Sequence, residues 1–322
     1  MPRWIANLAD PMIAVLLIAT SLALILPASG ETREVAQIVS NVSIFLLFLI
    51  NGMRIARGEI LNAIGNWRFF GPLVLFVFIG MAAMGTGFSF LAALYAAPEI
   101  ALGFIFLGVL PSTIQSATSY TTLAGGNAAL SVVGAALINI LGVFVSAPLF
   151  AALAGSAAVD LGTDTIVRIG MILLLPFVIG QTLQGFTRSW LIERKSQVVW
   201  LDRVVIGIAV YVAMSGAVSQ GLMSSMSPAS AGWLTLITIA FLVLAYSLAW
   251  KLSGLSGYAR GDRIAFVFAG PQKSVAIGAP LAAILFEPAV AGFVIAPLLL
   301  YHLLQLAVAA PLATRFAQQS EG

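Results

Sequence analysis

The chain has 322 residues, 61% of them hydrophobic and only 8% charged, with a mean hydropathy of +1.06 and a formal net charge of +3. A soluble domain is about a quarter charged, so this chain lacks the polar surface to face water and reads as a polytopic α-helical membrane protein. Its apolar runs far exceed strand length and show no ten-residue alternation, which argues against a β-barrel. The absence of cysteine excludes disulfides and thiolate metal centres.

A bilayer span needs about 20 apolar residues, fewer where a broken helix is buried in protein. The N-terminal MPRWIANLADP precedes an apolar run with no A-x-A-like exit before Pro27, so the run is kept as a first helix over 11–27 and not removed as a signal. Helices follow over 36–53 and 69–95. The fourth, over 99–123, is interrupted: ALGFIFLGVLPSTIQSATSYTTLAGGN has an apolar half, Pro111, a polar cluster, then a second half. GGN at 125–127 reads as a tight turn into a fifth helix over 127–154. Spans over 165–185, 200–220 and 230–251 come next. The ninth, over 262–285, repeats the interruption in DRIAFVFAGPQKSVAIGAPLAAILFEP, with Pro271 followed by Gln272, Lys273 and Ser274. The tenth, over 288–315, carries the only histidine, His302, read as a packing residue with Tyr301 and Gln305 as neighbours.

With both termini in the cytoplasm, twelve basic residues fall in inner segments, Arg33 and Arg168 in outer ones, and Lys273 inside a helix. Such a positive-inside bias supports ten spans in that orientation. The six tryptophans sit near span ends, as an interfacial belt does. All twelve carboxylates lie in loops, tails or helix ends, so Lys273 has no evident ion-pair partner at depth.

Pro111 and Pro271 stand 160 residues apart and fall in the fourth and ninth helices, giving two five-helix halves over 1–155 and 160–318 of one transmembrane domain, 1–322. An odd helix number per repeat inverts the second copy, and paired broken helices in matching positions point to a transporter's midplane site. Proline opens the helix, and the half-helix that follows presents free N–H groups and a positive dipole end suited to an anion. Ser112, Thr113, Gln115, Ser116, Gln272, Lys273 and Ser274 are therefore the candidate substrate-binding residues. Either break alone reads equally well as a packed kink, and a lysine can snorkel to an interface. A lysine at helix centre costs ~2.5–3.5 kcal/mol on insertion scales, which favours a functional role.

The runs PSTIQSATSYTTLAGGN and GPQKSVAIGAPLAAILF resemble the bile acid:sodium symporter family, most closely its lysine-bearing sodium/bile acid cotransporter 7-like branch. The resemblance implies a panel of helices 1, 2, 6 and 7, a core of helices 3–5 and 8–10 in which the broken fourth and ninth cross, and organic-anion substrates. It also implies sodium sites that this chain only partly matches. Ser116, with Ala117 or Thr118, stands at the family's Ser–Asn; Ser131 follows Asn127 as expected, but a later threonine is Ala135. The family's ninth-helix glutamate is Phe268, its glutamine is Gln272, and the asparagine after that is Lys273. No glutamine occurs on the third helix. These departures put sodium coupling in doubt and leave Ser116, Thr118, Ser131 and Gln272 as candidate ligands of a single sodium site of neutral oxygens. Lys273 then stands where a bound cation would act, with its ammonium expected near the start of the fourth helix's second half, within reach of Gln115 or Ser116.

No Walker motif, HExxH or nucleophile–base pair is present, so no enzyme, cofactor or metal centre is expected, and the basic balance belongs to inner loops, not to nucleic acid. The leading function is a secondary transporter of a small organic anion in the cell (inner) membrane. Its competitors are a proton-linked antiporter using Lys273 and a non-transporting membrane regulator with the same fold. The oligomeric state, the substrate and the coupling ion are not read from the sequence.

Overall fold

The computed structural model describes residues 11–54, 65–155, 167, 170–221 and 227–319. Every regular element among them is helical. In chain order these are α1 (Pro11–Ile25), α2 (Gly30–Arg54), α3 (Trp67–Ala92), α4a (Pro98–Val109), α4b (Gln115–Leu123), α5 (Ala128–Ala154), α6 (Gly170–Glu193), α7 (Lys195–Ser219), α8 (Pro228–Leu255), α9a (Arg260–Ala269), α9b (Val275–Leu285) and α10 (Pro288–Gln318). Seven of the described helices are long and apolar enough to cross a membrane, and α1, α4a and α9b are shorter apolar helices. The basic residues Arg3, Arg57 and Arg168 of the topology count lie outside the described residues.

The first helix stops at Ile25 and the third at Ala92, short of their expected ends, but several other helix ends overrun the hydropathy limits for a physical reason. Hydropathy marks where lipid contact ends, whereas a helix ends where its hydrogen-bond ladder ends. α2 starts at Gly30, six residues before its apolar run, because Ser29 and Thr32 cap it: the Thr32 hydroxyl donates to the Ser29 carbonyl at 2.6 Å and accepts from the Ser29 N–H at 3.2 Å. α6 and α7 likewise run on to Glu193 and back to Lys195, leaving Arg194 as the single residue between them.

The helices fall into two groups. In one, α2 packs against α6 and α7, and α1 packs against α7. The other surrounds the interrupted helices: α3 covers α4a, α8 covers α9a, α5 lies along both halves of α4, and α10 lies along α4a and α9b. The groups meet where α7 packs on α9b and α10, and where Phe144 of α5 meets Phe177 of α6 edge-on, ring centroids 6.0 Å apart. An aromatic layer fills the second group, with Phe104, Phe106, Phe150, Phe241, Phe266 and Phe268 all fully buried.

Candidate functional site

The chain leaves helical geometry at both prolines. α4a stops at Val109 with Leu110 extended (φ −72°, ψ 148°), and helix resumes at Gln115. α9a stops at Ala269 and helix resumes at Val275. Each opening frees carbonyls that have no intrahelical partner, and buried backbone must find others.

At the first break five carbonyls do so. Lys273 Nζ donates to Gly108 O at 2.9 Å and to Leu110 O at 2.6 Å. Ser146 Oγ donates to Val109 O at 2.8 Å, the Ser274 N–H to Pro111 O at 3.0 Å, and Asn139 Nδ2 to Ser112 O at 2.7 Å. Five consecutive carbonyls are thus taken by the second break and by α5. The Pro111 ring fits against Gly142 of α5, where a Cβ would lie 2.6 Å from it.

The second break is held by α10. Tyr301 Oη donates to Pro271 O at 2.8 Å. Gln305 accepts from the Lys273 N–H at 2.8 Å and donates to Lys273 O at 3.1 Å, so one amide grips both backbone groups of one residue. Its Nε2 also lies 2.9 Å from His302 Nδ1. His302, Tyr301 and Gln305 are neighbours as expected, but Tyr301 and Gln305 do more than fill space.

Between the breaks, Gln272 Oε1 accepts from Thr113 Oγ1 and Ser116 Oγ, both at 2.6 Å, and those hydroxyls are 2.5 Å apart. The Gln272 side chain faces the Tyr246 hydroxyl. Neither that hydroxyl nor Gln272 Nε2 completes a regular hydrogen bond among the described residues, and the buried Ser112 Oγ and Thr118 Oγ1 likewise find no partner among them.

The expected site residues therefore divide. Thr113, Ser116 and Gln272 come together. Gln115 is exposed on α4b, in line with exposed Ser119 and Thr122, whereas Ser112, Gln272, Lys273 and Ser274 are buried. Of the candidate ion ligands, Ser116 and Gln272 touch, but Ser131 instead accepts from Thr121 Oγ1 at 3.1 Å, and Thr118 joins neither. Phe268 is sealed among Tyr120, Tyr246 and Phe316, with centroids 5.9, 6.3 and 6.3 Å away. Among the described residues no group of three or more His, Cys, Asp or Glu is placed to hold a metal.

The expected place of the ammonium is corrected. It sits at the C-terminal end of the first half-helix, not at the N-terminal end of the second beside Gln115 or Ser116. The cause is electrostatic: a helix C-terminus offers free carbonyls and a negative dipole end to a cation, while the N-terminus repels one. Sequence reasoning also missed Asn139 and Ser146. Their signal was present, since they stand seven residues apart, two turns, on one face of an α5 whose only other polar side chain is Ser131.

Residues 10–318 match the model of the SBF-like CPA transporter family. The chain is 34% identical to the uncharacterized protein PA2026 of Pseudomonas aeruginosa, over 99% of this chain and 96% of that one. It is 30% identical to the provisionally named symporter YfeH of Escherichia coli (strain K12), over 98% and 95% of the two chains. It is 24% identical to sodium/bile acid cotransporter 7 of Mus musculus, over 83% and 80%. With nearly its whole length matched, the chain belongs to the SBF-like CPA transporter family.

Proposed function

We propose that this multi-pass membrane transporter is a secondary transporter of a small organic anion in the cell (inner) membrane, with ten spans, inverted halves over 1–155 and 160–318, and both termini in the cytoplasm. The observation that carries the reading is the junction of Thr113, Ser116 and Gln272, which ties two opened helices together beside the exposed Gln115, Ser119 and Thr122 of α4b. Polar side chains in a row on a membrane-embedded half-helix need water or a solute beside them. α4b also begins without a side-chain cap, so its first N–H groups and positive dipole end are available to an anionic group. Thr113, Gln115 and Ser116 make up the solute-facing set, with the buried Gln272 joined to it through Thr113 and Ser116. Ser112, Lys273 and Ser274 hold the junction from behind.

The inverted repeat is supported by packing. If α1–α5 map onto α6–α10, the α1–α7 contact maps onto α6–α2, α4–α10 onto α9–α5, and α3–α4a onto α8–α9a, and all six occur. The basic inner segments support the orientation.

The test is uptake into proteoliposomes from a panel of labelled small organic anions, with neutral and cationic analogues of matching size. Anions should be taken up preferentially. Gln115→Ala and Ser116→Ala should each lower uptake several-fold with melting unchanged within a few degrees, since a polar contact is worth about 0.5–1.5 kcal/mol net. Equal uptake of neutral analogues would overturn the anion assignment, and no uptake of any member would overturn transport.

A further inference from the structure

We propose that Lys273 is a resident cation: its side chain fills, with a tethered ammonium, a place that would otherwise draw an alkali ion, so solute movement needs no inorganic co-ion at this break. Its second arm rests on the transport reading above; its first does not.

The inference starts from what the ammonium touches. Nζ lies 2.9 Å from Gly108 O and 2.6 Å from Leu110 O, two carbonyls at the end of α4a. Unwound carbonyls and the C-terminal end of a half-helix are the ligands that interrupted transporter helices offer to sodium or a proton. The negative dipole end adds attraction for positive charge. Lys273 is wholly buried, and the ion pairs among the described residues, Arg54–Asp202 and Arg194–Glu193, do not involve it. The half-helix end is thus its counter-charge.

The second line of support is how firmly the group is held. Gln305 grips the Lys273 backbone from both sides, the adjoining Ser274 N–H donates to Pro111 O, and Tyr301 fixes Pro271. Two of these bonds fix the Lys273 backbone and two fix its neighbours, so the side chain leaves from a Cα held in place beside the end of α4a. The remaining carbonyls of the break are taken by Ser146 and Asn139, so the ammonium is left with the two that face it. Lys273 is on this account a positioning residue. It joins α4a to the second break and sets where Thr113 and Ser116 stand relative to Gln272, without touching the solute.

Lys273→Ala deletes a fragment equivalent to n-propylammonium, which supplies both the charge and the N–H donors. In the first arm, purified Lys273→Ala and parent are melted with n-propylammonium, sodium or tetramethylammonium chloride. The variant should melt lower by on the order of 5–10 °C, as two orphaned carbonyls imply for a chain of this length. n-Propylammonium should recover most of that loss, tetramethylammonium, which has charge but no N–H, should recover none, and the parent should respond to neither. In the second arm, uptake by the parent should be equal in sodium and choline. Lys273→Ala should lose on the order of tenfold or more, as misplaced binding groups do, and regain uptake with n-propylammonium. Lys273→Arg should keep part of it.

Several results would overturn the proposal. They are a steep sodium requirement in the parent, Lys273→Met that melts and transports as the parent does, Lys273→Ala indifferent to n-propylammonium, and a proton moved with each solute that vanishes on removing Lys273. If Lys273→Ala does not fold, the sodium independence of the parent still decides. If the parent moves no solute, the transport reading fails while the melting arm stands.

Discussion

At the scale of single residues, the centre of this molecule is a set of satisfied backbone groups, and the side chains that satisfy them are the ones to remove. Gln305→Leu keeps the volume of a long side chain but strands the Lys273 N–H and C=O, both buried. Each orphaned group costs about 1–3 kcal/mol, so the variant should lose about 2–6 kcal/mol, read as a large drop in apparent melting temperature. Tyr301→Phe strands only Pro271 O and should lose about half as much or less. Thermal melts of both in the same detergent check the order; a Gln305→Leu protein as stable as Tyr301→Phe would mean that the amide grip is ornamental. The need for such side chains was legible, because each proline predicted an opened helix with free carbonyls. Their identity was not: Lys273 was visible as an unpaired charge, but its acceptors, Gly108 O and Leu110 O, are backbone atoms that carry no mark in a sequence.

At the scale of elements, helix pairs in this fold are set by how closely backbones approach. α2 and α6 meet at Gly52 and Gly180, where a Cβ on Gly52 would lie 2.2 Å from Phe177 O and one on Gly180 2.2 Å from Leu49 O. Small residues serve this purpose between membrane helices, where apolar surface gives no net drive to associate. Gln181 Nε2 donates to Gly52 O at 2.7 Å beside the same contact. Gly180→Val should therefore push the pair apart and cost about 1–3 kcal/mol, as overpacking does. Gly185→Val, farther along the same helix, should cost little, because a Cβ added there would meet no atom within 4 Å. Comparing the two melts isolates the close approach from the helix propensity that both changes share. The breaks within α4 and α9 were legible because proline has a strong, local signature. The helix ends were not, since α2, α6 and α7 continue through polar turns that hydropathy discounts. Phe268 was legible only as a missing carboxylate, and the aromatic cluster that replaces it depends on Tyr120, Tyr246 and Phe316 from three other helices.

At the scale of the whole molecule, the two opened helices are treated unequally. α9b is almost wholly buried and packs against α7, where residues 209–217 are buried too apart from half-buried Tyr211. α4b, its counterpart in the other half, shows Gln115, Ser119 and Thr122 on an exposed face. If the two halves are inverted repeats, as proposed, one opened helix buried and the other exposed is the shape of one end of an alternating-access cycle. The closed side is sealed at Gly292, where an added Cβ would meet Ala213 O and Ala217 Cβ at 2.5 Å each. The chain has no cysteine, so single cysteines can be labelled without background. Under the proposed orientation, Thr122→Cys should react with a membrane-impermeant maleimide in inside-out vesicles and not in right-side-out cells, and Ala217→Cys should be silent in both. Adding Gly292→Leu to each should wedge the α7–α10 seam apart: Ala217→Cys should then label from outside, and Thr122→Cys should slow from inside, because opening one crossing closes the other. Labelling of Thr122→Cys from outside would reverse the orientation. Opening at Ala217 with no change at Thr122 would show that the two faces move independently and that the halves do not work as one alternating device.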